Sequence, residues 1–302
     1  MNPVLKRTLC GLAVGFGVLA LFLYCPLKAL PVLLLALSTL VQFEFYQMAR
    51  RYEPMAVSGL LVGAAVLIAT AALPGLEGFA TCVAVGSLVA SPLVFLLACS
   101  ALFRSRFRSP VGTLGATLLG ILYVPLPLSF FLRLVQLNPA DGHLLFAMPA
   151  TRVGLYTLFF LVAVAKLSDT GGFAFGVAMG RHKMCPTISP NKSWEGLLGS
   201  MVFATLTTLG FVWLARRFDW AAACPLWSWL TYARAVPAGI VFALVATAGD
   251  LVESRFKREC GVKDSSSFLP AGMGGCLDTL DSIIFLPALV YPLYVLSLRG
   301  AL

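Results

Sequence analysis

Most of the residues that could do chemistry in this chain fall into two short polar segments in its C-terminal half. The longer one, residues 249–282, begins with polar residues at i, i+3, i+4, i+7 and i+8 spacing, which puts them on one face of a helix. They are Asp250, Glu253, Ser254, Lys257 and Arg258. Because ionisable side chains are costly at membrane depth, such a stripe continuing an apolar run indicates a functional site. An ordinary i,i+4 ion pair between Glu253 and Lys257 is the alternative.

A glycine-rich turn and two aspartates close the same segment. The turn ends at Gly274 and Gly275, whose backbone amides can approach a phosphate closely. Asp278 and Asp281 then open an apolar run at i, i+3 spacing, so both carboxylates lie on one helical face. Magnesium prefers a few carboxylates together with phosphate oxygens. Acids favoured by the helix dipole are the alternative interpretation.

The other polar segment, residues 166–196, combines an acid with a donor-rich loop. Asp169 stands at the end of an apolar run, and glycines follow it at helical spacings. The 189–193 loop, with Ser189, Asn191 and Lys192, is rich in turn formers and hydrogen-bond donors. It is typical either of a loop that grips phosphate or of an ordinary basic loop. Ser193 is placed to cap the apolar helix that follows.

Together these segments contain what phosphoryl or nucleotidyl transfer requires. Catalysis of such transfers is mainly positioning plus neutralisation of anionic oxygens, which carboxylate-bound metal and Lys or Arg side chains supply. The sequence contains no dinucleotide fingerprint and no P-loop pattern, so metal and basic residues would have to hold a nucleotide. If the chain lies in a membrane, the second substrate is expected to be a lipid.

Composition predicts that the elements carrying these residues are membrane helices. The chain of 302 residues is 59% hydrophobic and 12% charged, whereas soluble domains carry about 25% charged residues. The net charge of +9 is explained by basic loops that set topology and attract anionic lipid, and no aromatic-interleaved basic patch indicates nucleic acid. The eight cysteines include no C-x-x-C pair, which favours buried thiols over disulfides or zinc.

Hydrophobic run length predicts an all-α polytopic transmembrane protein with about nine spans. The runs lie near 8–25, 29–48, 56–74, 79–103, 111–133, 149–167, 197–215, 235–252 and 280–298. We interpret residues 1–148 as a transmembrane scaffold, whose first apolar stretch is a retained helix and not a cleaved signal peptide. Residues 149–302 are the predicted catalytic region. Lys and Arg are more frequent in the loops on the same side of the membrane as the N-terminus, which indicates that this side is cytoplasmic. Both polar segments are expected on that side.

The two polar segments resemble the phosphatidate cytidylyltransferase (CDP-diacylglycerol synthase) family. They cover about a fifth of the chain, and the remaining spans match only in general character. The matching residues are S-x-x-K-R at 254–258, K-D at 263–264, the turn at 270–275, L-D-x-x-D-S at 277–282, D-T-G-G at 169–172, G-R-H-K at 180–183 and S-P-N-K-S-W-E-G at 189–196.

The resemblance implies transfer of CMP from CTP to phosphatidic acid, giving CDP-diacylglycerol and pyrophosphate in phospholipid biosynthesis. It implies magnesium held by Asp250 and Asp281 with Asp278 close by, and a monovalent cation such as potassium beside it. The implied substrate-handling residues are Lys257, Arg258 and Lys263 for phosphate charge, Asp264 for orienting Lys263, Ser254 for hydrogen bonding, and Asp169, Ser189, Asn191, Lys192, Glu253, Gly274 and Gly275 for binding. A homodimer in the bacterial inner (plasma) membrane, with a cytoplasmic active site, is the expected setting.

Two departures from the family pattern leave alternatives open. Met273 stands where the family usually has histidine, and Thr279 where it usually has arginine. Since methionine cannot act as an acid or a base, the role of that histidine must be dispensable or performed by another group here. The alternatives are another membrane lipid-phosphate transferase, an inactive homologue, and an ion-coupled transporter with Asp169 and Asp250 as ion sites. The absence of an internal sequence repeat argues against the transporter.

Overall fold

A computed structural model describes residues 29–72, 109–136, 153–218, 225–266 and 274–298. The predicted spans at 8–25 and 79–103, and Met273, lie outside these residues. The described helices are α1 (Leu30–Met48), α2 (Ala56–Ala72), α3 (Pro110–Tyr123), α4 (Pro125–Gln136), α5 (Val153–Met179), α6 (Trp194–Arg217), α7 (Pro225–Trp229), α8 (Tyr232–Glu259), α9 (Cys276–Leu280) and α10 (Leu286–Leu298). A short 3-10 helix, Ala49–Tyr52, follows α1.

The described part of the chain contains five helices, or adjoining helices, long and apolar enough to cross a membrane. They are Leu30–Tyr52, Pro110–Leu134, Tyr156–Met179, Trp194–Arg217 and Tyr232–Glu259. The apolar helix α2 is shorter. The prediction of a helical, polytopic membrane protein is therefore confirmed. The predicted boundary at 148/149 falls outside the described residues and stays a prediction.

Two predicted spans are interrupted by proline. Within the predicted span 111–133, the helix breaks at Val124, because Pro125 lacks an N–H and its ring crowds the preceding turn. The predicted span 280–298 is wrong as a single helix. It consists of the end of α9, a turn and α10, and Pro287 at the second position of α10 explains why the helix restarts there.

One predicted loop is instead a small antiparallel hairpin. Strands β1 (Lys183–Cys185) and β2 (Ser189–Ser193) pair with Lys183 opposite Ser193. As predicted, Ser193 caps α6: its Oγ accepts a hydrogen bond from the Gly196 amide at 3.1 Å. The hairpin therefore runs directly into the candidate membrane helix α6.

The described residues divide into two compact units. The first contains residues 29–72, 109–133, 260–266 and 274–279, and the second contains 134–136, 153–218, 225–259 and 280–298. In the first unit, a buried polar network joins α1, α2 and α3. Gln42 Nε2 donates to Tyr46 Oη at 3.0 Å and to the Gly59 carbonyl at 2.8 Å. Tyr46 Oη donates to the Thr117 carbonyl at 2.8 Å, so buried polar groups find partners inside the protein.

In the second unit, α5 packs along α6, and α6 packs on α8. The α5–α6 contact is close at Gly171, where an added Cβ would lie 2.6 Å from the Gly199 carbonyl oxygen. Further along, Phe160 lies 5.2 Å, between ring centroids, from Phe211 and from Trp227. Glycines at one end of the contact and aromatic side chains at the other thus pack α5 against α6.

Candidate active site

Three carboxylates of the second unit converge at the first residues of the polar stripe on α8. One oxygen each from Asp250, Glu253 and Asp281 lies within 4.8 Å of the others. Asp250 and Glu253 are three residues apart on α8, and Asp281 comes from the turn after α9. Glu253 is completely buried and Asp281 is nearly so. Like charges held this close repel each other, and nearby cations or protonation of one carboxyl would relieve that repulsion.

Two lysines neutralise part of this charge. Lys192, on β2, places Nζ 2.6 Å from Asp250 Oδ2 and also donates to the Thr247 carbonyl at 3.3 Å. Lys257, one helical turn beyond Glu253, forms an ion pair with it. The i,i+4 ion pair that was the alternative to a functional site is therefore present. It is buried, however, and lies beside two further carboxylates. Ser254 Oγ donates to Asp250 Oδ1 at 3.3 Å.

Asp169 lies inside α5, because that helix continues to Met179 instead of ending near residue 167. Its Oδ2 accepts a hydrogen bond from Ser282 Oγ at 3.0 Å. Lys166 Nζ lies 3.7 Å from the same oxygen and donates to Ser282 Oγ at 3.3 Å. Since Ser282 follows Asp281 directly, this triad ties α5 to the turn that carries a carboxylate of the cluster.

The hairpin brings the predicted phosphate-binding residues of β2 to the end of α8. Arg258 Nε donates to the carbonyl of Ile188, in the turn of the hairpin, at 3.3 Å. On β2, Ser189 is half-buried and Asn191 is exposed. With Lys192 bonded to Asp250, the second unit therefore joins both predicted polar segments.

The donor set of the cluster suits a hard divalent cation. Asp250, Glu253 and Asp281 offer only oxygen ligands, and they are few enough to leave coordination positions for phosphate and water. Magnesium prefers this combination over an all-protein cage. The residues present therefore fit magnesium, which remains a prediction.

The remaining predicted site residues belong to the first unit, where Asp278 is occupied with backbone donors. Its carboxylate accepts hydrogen bonds from the Ser265 amide and Oγ, and from the Gly275 amide at 2.6 Å. Gly274 has φ +83°, a conformation that favours glycine. Since the Gly275 amide already donates to Asp278, that amide is committed to shaping the turn.

Lys263 and Asp264 are exposed in the segment that follows α8. Cys276 begins α9, further along the chain. Burial and the Glu44 carboxylate raise the pKa of its thiol above its ordinary value. A raised pKa disfavours the thiolate, so this cysteine is a poor nucleophile and a poor metal ligand.

Several residues of the site were not among the predicted site residues, although Ser282 belongs to the L-D-x-x-D-S motif. Lys166 and Ser282 contact Asp169, and Ser265 contacts Asp278. Lys166 was detectable, because it lies three residues before Asp169 in an otherwise apolar run. Ser265 carries no local signal, since its partner is 13 residues away in a different element.

Comparison with known proteins places the chain among cytidylyltransferases. The sequence pattern of the Cytidylyltransferase family matches residues 5–297. A phosphatidate cytidylyltransferase of Chlamydia muridarum is 32% identical over 204 residues, which are 66% of this chain and 61% of that protein. One of Mycobacterium bovis is 36% identical over 189 residues, 62% of this chain and 52% of that protein.

A third relative, the phosphatidate cytidylyltransferase of Staphylococcus saprophyticus, is 41% identical over 132 residues. That match covers 44% of this chain and 46% of the relative. The chain thus spans between 46% and 61% of the lengths of these three relatives.

Proposed function

The chain belongs to the cytidylyltransferase family, and from that membership we propose that it transfers CMP from CTP to phosphatidic acid. The products are CDP-diacylglycerol and pyrophosphate. The observation that carries the proposal is the carboxylate cluster of Asp250, Glu253 and Asp281 with Lys192 and Lys257 beside it. Two polyanionic substrates can approach each other only where their charge is neutralised, and this cluster provides metal ligands and cations together.

In the proposed reaction, a phosphate oxygen of phosphatidic acid attacks the α-phosphorus of CTP. A phosphorus–oxygen bond forms there, the bond between that phosphorus and the oxygen leading to the β-phosphorus breaks, and pyrophosphate leaves with the electron pair. The nucleophile is already an anion at neutral pH, so a general base contributes little. Lys192, Lys257 and Arg258 neutralise the phosphate oxygens and orient the two substrates.

Asp250, Glu253 and Asp281 would hold magnesium, which when bound withdraws charge from phosphate oxygens and stabilises the leaving pyrophosphate. The proposal moves Glu253 from substrate binding to metal binding, because its buried carboxylate lies in the cluster. Ser254, bonded to Asp250, orients that carboxylate. Potassium beside the magnesium remains part of the proposal on the resemblance alone.

We place this site on the cytoplasmic side of the bacterial inner (plasma) membrane, where CTP is available, in a homodimer. Support for the orientation comes from the distribution of positive charge, since cytoplasmic loops are enriched in Lys and Arg. Of the 22 Lys and Arg residues, fifteen lie in the loops that the predicted spans place on the side of the hairpin, and seven lie in the loops on the other side. The homodimer rests on the resemblance alone.

The direct test uses purified protein in mixed micelles with phosphatidic acid, CTP and magnesium. Mass spectrometry of the lipid fraction should show CDP-diacylglycerol accumulating with time, and chelation of divalent cations should stop its formation. A preparation that is folded by thermal melting but forms no CDP-diacylglycerol would refute the proposal.

A further inference from the structure

Glu44 is a buried acid that the proposed reaction does not use. It lies on α1, within the candidate span Leu30–Tyr52, and its side chain is almost wholly buried. From sequence it only interrupts an apolar run. A buried ionisable side chain in a membrane helix is costly and is therefore expected to have a function. The partners of its two carboxylate oxygens indicate which function.

Both oxygens of Glu44 accept hydrogen bonds from the segments that flank the glycine turn. Ser266 Oγ donates to Oε1 at 2.8 Å, and the Leu277 amide donates to Oε2 at 2.9 Å. Leu277 is the second residue of α9, so its amide is among those that a helix cannot satisfy by itself. Glu44 thus caps α9 from another helix, and at the same time it holds residue 266 on the other side of the turn.

Asp278 grips the same turn from inside α9. It accepts from the Gly275 amide and from Ser265, whereas Glu44 accepts from the adjacent Leu277 and Ser266. We call the two acids the carboxylate clasp. Within the clasp, each acid satisfies one amide at the start of α9 and one serine of the preceding segment.

The clasp explains why residue 275 is glycine. A Cβ at Gly275 would lie 2.6 Å from Glu44 Oε2 and 2.3 Å from Ser265 Oγ, closer than side-chain atoms can approach. The amide of Gly275 is also bonded to Asp278. A side chain at residue 275 would therefore fit only if the Ser265 hydroxyl and the Glu44 carboxylate moved away from their hydrogen-bond partners.

We propose that Glu44 is a positioning residue that holds Gly274, Gly275 and the first residues of α9 in the arrangement that handles the phosphates of CTP. The proposal rests on the proposed function, since Gly274, Gly275 and Asp278 were predicted to handle phosphate or metal. Glu44 itself touches neither substrate. Its role is to hold this segment in place, and it acts from an element that the motif residues do not include.

Steady-state kinetics separate positioning from simple loss of folded protein. Glu44→Ala removes both acceptors and should raise the KM for CTP at least about tenfold, while the KM for phosphatidic acid changes by less than about threefold. Glu44→Gln keeps one acceptor and should raise the KM for CTP less than Glu44→Ala does. Glu53→Gln, the loss of another acid from the same unit, should leave both KM values unchanged. An unchanged KM for CTP in folded Glu44→Ala or Glu44→Gln protein would overturn the proposal.

Hydrogen exchange tests the clasp without reference to activity. In purified wild-type protein, peptides covering residues 274–280 should exchange at least about tenfold more slowly than in Glu44→Ala or, if that variant does not fold, than in Glu44→Gln protein. Equal exchange would refute the positioning role even if the enzyme proved active. Slower wild-type exchange in a protein that makes no CDP-diacylglycerol would refute the proposed function and leave the role of Glu44 in shaping the turn intact.

Discussion

At the residue scale, the acids of the cluster differ in their surroundings from Glu259, the remaining acid of α8. Asp250 and Asp281 each lie within 4.8 Å of a second and third carboxylate oxygen, whereas Glu259 is exposed at the end of the helix. Only carboxylates of the first kind can share a cation. Acids that are close in sequence therefore differ in role: Asp250 is a proposed metal ligand, and Glu259 is a surface charge.

Asp250→Asn or Asp281→Asn should lower the rate of CDP-diacylglycerol formation at least about a hundredfold. This corresponds to a rise of about 2.7 kcal/mol in the activation free energy, at 1.36 kcal/mol per tenfold change. Asparagine keeps the shape of Asp250 or Asp281 but removes the charge that would hold magnesium. The initial rate at saturating CTP is the quantity to measure. Glu259→Gln should keep the wild-type rate, and full activity of Asp250→Asn or Asp281→Asn would exclude that residue as a ligand.

The buried Glu253–Lys257 pair allows charge balance and catalysis to be separated. Lys257→Met should lower the free energy of unfolding by about 3 kcal/mol, because breaking a buried ion pair leaves one charge without its partner. Adding Glu253→Gln should recover much of that loss without restoring activity. Denaturant unfolding in detergent measures the first quantity, and the lipid product measures the second. A double variant as unstable as Lys257→Met would contradict this view of the pair.

At the element scale, the contact between α5 and α6 positions Asp169 and the hairpin. Gly171→Ala should lower the free energy of unfolding by about 1–3 kcal/mol, because its Cβ would press on the Gly199 carbonyl and on Phe203. Gly210, on α6, has nothing within 4 Å of an added Cβ. Gly210→Ala should therefore not destabilise the protein, since alanine favours a helix. Equal losses in thermal unfolding of the two variants would contradict the close packing.

The long helices could be predicted because each is specified by a long local apolar run. The helical stripe from Asp250 to Arg258 and the Ser193 cap follow from spacing and neighbouring residue types. The hairpin did not follow, because its strands are short, polar and interrupted by Pro190. The break before α10 was missed because the apolar run continues through Pro287 and only its backbone chemistry interrupts the helix.

At the scale of the whole molecule, the partners that matter most are far apart in sequence. Glu44 lies 222 residues from Ser266 and 233 from Leu277. Local patterns contain no information about such pairs, so the sequence located Asp278 and the glycine turn but not the acid that holds them. The two polar segments were predictable as motifs, whereas the link between Lys192 and Asp250 required the fold.

The orientation of α6 across the membrane is a separate prediction. In a variant without its own cysteines, Thr187→Cys, in the hairpin turn, should react with a membrane-impermeant maleimide only after the cells are permeabilised. Arg217→Cys, at the other end of α6, should react in intact spheroplasts. Positive charge enriched on the cytoplasmic side is the physical reason. The opposite labelling pattern would place the hairpin outside and exclude a cytoplasmic active site.

The central claim is cytidylyl transfer, and the fate of the individual phosphates of CTP tests it most directly. The purified protein would be incubated with phosphatidic acid, magnesium and CTP labelled at either the α- or the γ-phosphate. Cytidylyl transfer predicts α-label in the lipid fraction and γ-label in pyrophosphate, in equal molar amounts. Label from the γ-phosphate in the lipid would indicate phosphoryl transfer and would contradict this claim. The absence of any label in the lipid, from folded wild-type protein, would contradict it as well.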